Sequence, residues 1–87
     1  MKPHETLKQC AALIGQRGQD YGGIEDNFQR IATIASTITG WPLTARDCAM
    51  VLVATKLARM AGSQDKADNY LDAINYLAFA KELGDGK

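Results

Sequence analysis

The stretch of sequence that decides the fold runs from Cys48 to Gly62 and reads CAMVLVATKLARMAG. Up to Met60 its polar residues are Thr55, Lys56 and Arg59, so apolar residues occupy every side of a helix. A surface helix has one apolar stripe, whereas a helix that is apolar all round is buried. At 1.5 Å per residue the run is about 20 Å long, which is too short to cross a bilayer. The sequence therefore predicts a buried central helix with the other segments packed around it.

Apolar spacing and glycine positions place three further helices around this one. Apolar residues recur every three or four positions on both sides of the central stretch. Pro3 suits the first position of a helix, and Thr44 followed by Asp47 is a capping-box pattern. Trp41 is expected to lie as a lid on the end of the core. We predict helices over residues 3–17, 24–39, 45–61 and 65–83, the last capped by Ser63, with stops at Gly18, Gly40, Gly62 and Gly84.

These elements define an all-α, compact four-helix domain over residues 1–84, followed by a polar tail at residues 85–87. The core face of the fourth helix is expected to carry Ala67, Leu71, Ile74, Leu77 and Ala78. Its other face combines acids, an amide and aromatic rings: Asp65, Asp68, Asp72, Asn75, Tyr76 and Phe79. Such a face is hard to satisfy in a monomer of 87 residues. We therefore predict a homo-oligomer.

Composition narrows the classes of partner. Ten basic and ten acidic residues give a formal net charge of zero. This balance argues against binding to duplex nucleic acid, because such proteins carry a basic surplus; a small anion needs only a local cationic pocket. The chain starts without a secretory apolar segment and contains no C-x-x-C pair. We expect a cytoplasmic protein that does not enter a membrane, with Cys10 and Cys48 as buried thiols.

The first group of residues that could carry chemistry lies on the third and fourth helices. Lys56 and Arg59 share one face of a helix, and Asp68 and Asp72 follow at the start of an expected antiparallel neighbour. One interpretation is an ion-pair network that ties the helical hairpin together. The other is that the aspartates orient the two cations, which then hold phosphate oxygens. The two interpretations do not exclude each other.

The second group lies between the first two helices and comprises Arg17, Tyr21 and Asn27, at a loop with three glycines. Tyr21 could stack on a base and Asn27 could read a base edge, while Arg17 could hold a phosphate. The alternative is a loop pinned by its own hydrogen bonds. Taken with the first group, these residues favour an anionic aromatic ligand.

The order of these residues resembles that of a small family of uncharacterised proteins from bacteriophages and prophages. The matching positions are Arg17-x-x-x-Tyr21-Gly22, Asn27-Phe28-x-x-Ile31-Ala32, Asp47, Lys56-x-x-Arg59 and Asp68-x-x-x-Asp72-x-x-x-Tyr76. That family is distantly similar to the all-α nucleoside triphosphate pyrophosphatases of the MazG type, whose E-x-x-E and E-x-x-D motifs hold Mg²⁺. Here Asn69-x-x-Asp72 resembles the second motif with its first acid replaced, and E-x-x-E is missing from the sequence. The resemblance therefore implies direct phosphate binding by Lys56 and Arg59, and it puts hydrolysis in doubt.

Our first hypothesis is a non-catalytic protein that binds a nucleotide-derived anion, with no metal or cofactor. In the phage setting that the resemblance implies, it acts as an anti-defence sponge that sequesters a host immune signal nucleotide in the cytoplasm of an infected or lysogenic bacterium. The nucleotide is cyclic or linear, and the site lies within one subunit or between subunits. The expected ligand-binding residues are Arg17, Tyr21, Asn27, Lys56, Arg59, Asp68, Asp72 and Tyr76, with a possible stacking role for Trp41.

Two alternatives come from other classes of protein. One is a MazG-like, Mg²⁺-dependent nucleotide pyrophosphohydrolase that uses Asp65, Asp68 and Asp72. The other is a helical protein–protein interaction module, in which the second face of the fourth helix makes a dimer.

Overall fold

The fold consists of four helices without a strand, in the part of the chain that the structure describes. The structure, a computed structural model, describes residues 2–21, 23–63 and 66–85, and only the backbone of 18–21 and 85. The helices are α1 (Pro3–Tyr21), α2 (Ile24–Thr39), α3 (Ala45–Gly62) and α4 (Ala67–Asp85). The predicted all-α architecture is confirmed. No helix among the described residues is long and apolar enough to cross a membrane.

Helix α2 begins and ends where the sequence predicts. It ends at Thr39 because Gly40 adopts a left-handed conformation, with φ of 71°, and its N–H donates to the Ser36 carbonyl. The predicted capping box at the start of α3 is also confirmed. The Asp47 N–H donates to Thr44 Oγ1 and the Thr44 N–H donates to Asp47 Oδ2, each at 3.0 Å.

Three predicted helix ends are wrong. Helix α1 continues through Gly18 to Tyr21, and α4 continues through Gly84 to Asp85. Glycine inside a helix costs about 1 kcal/mol relative to alanine, so it weakens a helix but does not by itself end one. Ser63 does not cap α4, which begins at Ala67; it follows α3, and its N–H donates to the Arg59 carbonyl.

Helix α3 is buried on one side only, which corrects the prediction of a helix buried all round. It packs mainly against α4 and also against α2, whereas α1 packs on α4 and α2. Among the described residues, the main contacts of α3 are with these two helices, and Val51 and Leu57 on its outer side are exposed. The inner side is buried and consists of small residues and one valine: Ala45, Cys48, Ala49 and Val53.

Helix α4 is rotated relative to the predicted orientation. Leu71 is buried as expected, but Leu77 is 52% exposed, and Ala67 and Ala78 are also exposed. Part of the stripe expected to lie opposite the core instead points inward: Asp72 and Asn75 are buried, and Tyr76 and Phe79 pack against the core. The reason is that α4 has apolar residues on both faces, so hydrophobic periodicity does not choose between them. Pairing of the Asp72 carboxylate with two cations makes the inward orientation possible.

Trp41 does not form a lid, since it is 68% exposed. The corresponding position against the core is taken by Leu43. Ser36 holds Leu43 in place, because its hydroxyl donates to the Leu43 carbonyl at 3.2 Å and accepts from the Leu43 N–H at 3.0 Å. The chain after Gly40 therefore turns Leu43 inward and Trp41 outward.

Candidate functional site

The site is built around the carboxylate of Asp72, a buried residue early in α4. Its Oδ1 lies 3.2 Å from Nη1 of Arg17, on α1, and its Oδ2 lies 3.0 Å from Nζ of Lys56, on α3. The side chains of Asp72 and Lys56 are 11% and 15% exposed, whereas that of Arg17 is 47% exposed. One carboxylate therefore links three helices, and only one of its two cations reaches well into solvent.

This arrangement carries a local net charge of plus one. A buried carboxylate without partners would be costly, and the two cations offset that cost. Each cation in turn has further hydrogen-bond donors, since a guanidinium has five and an ammonium three. The group can therefore accept an additional anion near its more exposed cation.

A pocket of about 480 Å³ opens beside Asp72 and is lined by residues from all four helices. Its polar lining consists of Arg17, Asn27, Asp72 and Tyr76. Apolar side chains and one glycine form the rest of the wall: Ile14, Gly23, Ile24, Phe28, Ile31, Leu52 and Phe79. The aromatic rings form a connected group, with Phe79 6.1 Å from Phe28 and 6.2 Å from Tyr76 between ring centres. Few polar groups in an apolar concavity are typical of a small-molecule site.

The structure joins the two predicted groups into one. Arg17 and Asn27, from the loop group, line the same pocket as Asp72 and Tyr76, from the hairpin group. Lys56 reaches the site through Asp72. The predicted ion-pair network between α3 and α4 is thus present in part, as Lys56 pairs with Asp72. The second cation that pairs with Asp72 is Arg17, on α1.

Other predicted site residues lie elsewhere. Arg59 and Asp68 are exposed, do not line this pocket and make no ion pair with the described residues. The side chain of Tyr21 lies outside the described residues, as does Asp65. The site therefore has its cations on α1 and α3, and its known aromatic residues are Phe28, Tyr76 and Phe79.

Sequence reasoning did not assign a site role to the apolar wall or to two buried amides near Asp72. Asn69, Asp72 and Asn75 occur every third residue along α4, and all three are buried. Asn75 is 2% exposed, and its Oδ1 accepts no hydrogen bond. The three-residue spacing of these polar residues along α4 is the sequence signal that could have indicated their shared buried face.

A thiol also lies near the site. Sγ of Cys10 donates to the Leu71 carbonyl, with 3.7 Å between the heavy atoms. Burial raises the pKa of the Cys10 thiol, and the negative charge of Asp72 raises it further. Burial likewise raises the pKa of Cys48, with a smaller effect of Asp47. Both thiols are free and buried, so they behave as small apolar groups.

The donor set in the described part of the chain does not form a cluster of three or more metal-ligating side chains. Of the acids in the Mg²⁺-dependent alternative, Asp72 has each oxygen engaged by a cation and Asp68 is exposed. The two cations beside Asp72 favour an anion over a metal ion, because they repel any further positive charge.

The fold and this pocket define the class as a small all-α protein with an aromatic-walled pocket whose charged lining residues are Arg17 and Asp72. The chain belongs to the family described as Domain of unknown function (DUF6378), which it matches over residues 5–84. It is also 31% identical over 72 residues to the Gene 55 protein of Mycobacterium phage L5, covering 82% of this chain and 46% of that protein. The chain thus spans less than half of that relative. No solved structure matches it significantly.

These matches confirm the predicted resemblance to uncharacterised phage proteins. Neither match concerns a MazG-type pyrophosphatase, so that more distant resemblance stays a prediction.

Proposed function

We propose that this protein binds a nucleotide-derived anionic small molecule without transforming it. The observation that carries the proposal is the convergence of Arg17, Asn27, Asp72 and Tyr76 on one pocket of about 480 Å³. That volume falls within the range of about 300 to 1,000 Å³ of small-molecule sites. In a phage-type protein, such binding suits a sponge that removes a host-made signal nucleotide from solution.

Each part of a nucleotide has a matching group in the pocket. An exposed guanidinium such as that of Arg17 holds phosphate oxygens through paired hydrogen bonds. Aromatic walls suit a flat base, as stacking of a base on an aromatic side chain contributes about 1 to 3 kcal/mol. The amide of Asn27 offers both donors and an acceptor to a base edge.

A thermal-shift panel tests the proposal with linear and cyclic di- and trinucleotides, nucleoside diphosphates and adenosine diphosphate ribose derivatives. A ligand that binds only the folded state stabilises it by about 2.7 kcal/mol at a hundredfold excess over Kd. We expect at least one compound to raise Tm, and the rise to shrink in Arg17→Ala.

The matched control is Lys8→Ala. Lys8 is exposed on the same helix, nine residues before Arg17, and nine residues correspond to two and a half turns, which places it on the opposite side. It should leave the shift unchanged. A panel in which no compound moves Tm at millimolar concentration would contradict nucleotide binding.

A hydrolysis assay distinguishes the binding proposal from the enzyme alternative. We expect no pyrophosphate or monophosphate release from nucleoside triphosphates with Mg²⁺ or Mn²⁺, because the two cations that contact the Asp72 carboxylate would repel a metal ion. Turnover that is lost in Asp72→Ala would replace the binding proposal with hydrolysis.

We also propose that the chain associates with copies of itself, although not for the reason the sequence indicated. Part of the acidic and aromatic stripe of α4 is turned into the fold, as Asp72 is paired and Tyr76 and Phe79 pack against the core. The support now comes from the opposite side, where α3 and α4 form an apolar groove of about 570 Å³. We call this the α3–α4 groove; its lining is Arg46, Met50, Ile74, Leu77, Ala78, Ala80, Lys81 and Gly84.

A further inference from the structure

We infer that the pocket takes a guanine nucleotide, with the base inside against Asp72 and the phosphates at the mouth beside Arg17. This inference deepens the proposed function and rests on it. It follows from which charges lie deep in the pocket and which lie near solvent.

The two ionised groups in the pocket lining, Asp72 and Arg17, differ in their exposure to solvent. Inside, the accessible ionised group is the carboxylate of Asp72, whose side chain is 11% exposed. The guanidinium of Arg17, whose side chain is 47% exposed, is closer to solvent, and we take its side of the pocket as the mouth. A phosphate placed inside would meet a carboxylate at short range in a low dielectric, where repulsion between like charges is strong. The anionic end of a ligand must therefore stay at the mouth.

The interior end of the ligand must be a hydrogen-bond donor. An ionised carboxylate only accepts hydrogen bonds, and its two oxygens offer about four lone-pair positions. Arg17 takes one position on Oδ1 and Lys56 takes one on Oδ2. One position on each oxygen therefore remains, so the free capacity of Asp72 matches two adjacent donors that approach side by side.

Among the common bases, guanine presents that pattern. Its pairing edge has N1–H and N2–H₂ next to each other, followed by the O6 acceptor. Adenine and cytosine place an acceptor nitrogen beside their amino group, and uracil and thymine have a single donor between two carbonyls. Each of these would set a lone pair against the Asp72 carboxylate, an unpaired and repulsive contact in a partly buried site.

The remaining features of the pocket fit the same orientation. O6 of guanine needs a donor, and the Asn27 amide and the Tyr76 hydroxyl are the neutral donors in the lining. The apolar wall around Phe28 and Phe79 suits the faces of a purine, which is the larger type of base.

The test compares guanosine 5′-diphosphate, inosine 5′-diphosphate and adenosine 5′-diphosphate by isothermal titration calorimetry on the unmodified chain. Inosine differs from guanosine by the missing N2 amino group, so it removes one of the two donors. Loss of a hydrogen bond to a charged group weakens binding roughly ten- to a hundredfold. We expect guanosine diphosphate to bind at least tenfold tighter than inosine diphosphate, and adenosine diphosphate to bind weakest.

Two variants locate the ends of the ligand. Arg17→Ala should weaken the binding of guanosine diphosphate much more than that of guanosine, whereas Lys8→Ala should affect neither. Asp72→Asn keeps the side-chain shape and replaces one acceptor oxygen by a donor. It should therefore abolish the preference for guanosine diphosphate over inosine diphosphate. Circular dichroism and Tm establish that the variant is folded, and the comparison of ligands on the unmodified chain does not depend on it.

The outcomes separate the inference from the proposal on which it rests. Equal affinity for the three diphosphates, or a preference for adenine, would overturn the guanine assignment and leave nucleotide binding intact. Equal loss of guanosine and guanosine diphosphate in Arg17→Ala would overturn the orientation. If neither these compounds nor any member of the wider panel binds, both the inference and the proposed function fail.

Discussion

At the scale of single residues, the most consequential feature is a buried acid held by two cations of different exposure. Asp72 lies 3.0 Å from Lys56, whose side chain is 15% exposed, and 3.2 Å from Arg17, whose side chain is 47% exposed. We call the contact with the less exposed Lys56 the inner contact. Breaking a buried pair costs about 3 to 5 kcal/mol, whereas an exposed pair is worth about 1 kcal/mol or less. The two contacts of Asp72 therefore contribute unequally to the stability of the folded state.

The first prediction tests the inner contact through Lys56→Met, which removes the ammonium and keeps the length of the side chain. Asp72 would retain Arg17 alone, so we expect the free energy of unfolding to fall by about 1 to 3 kcal/mol. Urea denaturation measures the change. Lys8→Met is the control and should stay within about 0.5 kcal/mol, since an exposed position away from such contacts has little effect. Equal effects of the two substitutions would show that the pair is solvated.

The second prediction concerns pH and the two buried thiols. Burial raises the pKa of Cys10 and Cys48 above the usual 9.0, so each thiol keeps its proton to higher pH when folded than when unfolded. Their contribution to stability is complete below about pH 9 and is lost as pH rises, because only the unfolded state releases the protons. We expect the free energy of unfolding of the unmodified chain to fall more steeply above pH 9 than that of a Cys10→Ala/Cys48→Ala variant. Parallel profiles of the two proteins would contradict this.

The sequence indicates which residue types serve the site but not all of their partners. Lys56 and Asp72 are predictable, since α3 and α4 are joined by a short connection and must be neighbours. The pairing of Asp72 with Arg17 is not, because it depends on how α1 packs across α4, which no local pattern specifies. Arg59 and Asp68 carry equally suitable charges, yet both are exposed. The sequence does not distinguish them from Lys56 and Asp72, because burial depends on how the helices pack.

At the scale of helices, local signals succeed where backbone chemistry decides and fail where packing decides. The ends of α2 and the capping box of α3 follow from residue types that satisfy free N–H and C=O groups. The inward face of α4 does not follow from residue types. Leu77 and Phe79 are both apolar, and only tertiary contacts determine which of them packs against the core. Gly18 is misleading for a related reason: it permits a helix end without requiring one.

The third prediction uses two glycines with opposite roles. Gly40 has a φ of 71° with open space around it, and Gly15 lies inside α1, also with open space. Gly40→Ala should lower the free energy of unfolding by about 1 to 2 kcal/mol, the cost of a left-handed conformation for an L-residue. Gly15→Ala should raise it by about 0.5 to 1 kcal/mol, because alanine favours the helix interior. Thermal or urea unfolding of the pair tests both signs, and a shared sign would contradict the assignment of helix ends.

At the scale of the whole molecule, the large apolar side chains are distributed unusually. The buried hydrophobic residues of the described chain are mainly alanines and cysteines; only Phe28, Val53 and Leu71 are larger. Several large apolar residues are instead exposed: Leu7, Ile34, Ile38, Trp41, Val51, Leu57 and Leu77. A domain of this size is near the lower limit for a stable core even when its large residues are inside. The folded chain therefore leaves several large apolar side chains on its surface, where a partner can bury them.

The last prediction is that a second copy of the chain covers the α3–α4 groove. A second copy is the partner that is always present when the chain folds, and a formal net charge of zero means that two copies do not repel each other at long range. Light scattering coupled to size exclusion should give at least a dimer at micromolar concentration. Leu77→Glu places a charge within the groove and should produce monomers, whereas Leu7→Glu, at a similarly exposed leucine on α1, should leave the assembly intact. A monomer mass for the unmodified chain would exclude self-association, and dissociation by Leu7→Glu alone would move the interface to α1.

The same variant shows whether the nucleotide pocket needs a second chain. The pocket at Asp72 and the α3–α4 groove are lined by different residues of α4. If the pocket of one chain is sufficient, the monomeric Leu77→Glu variant should therefore still bind nucleotide.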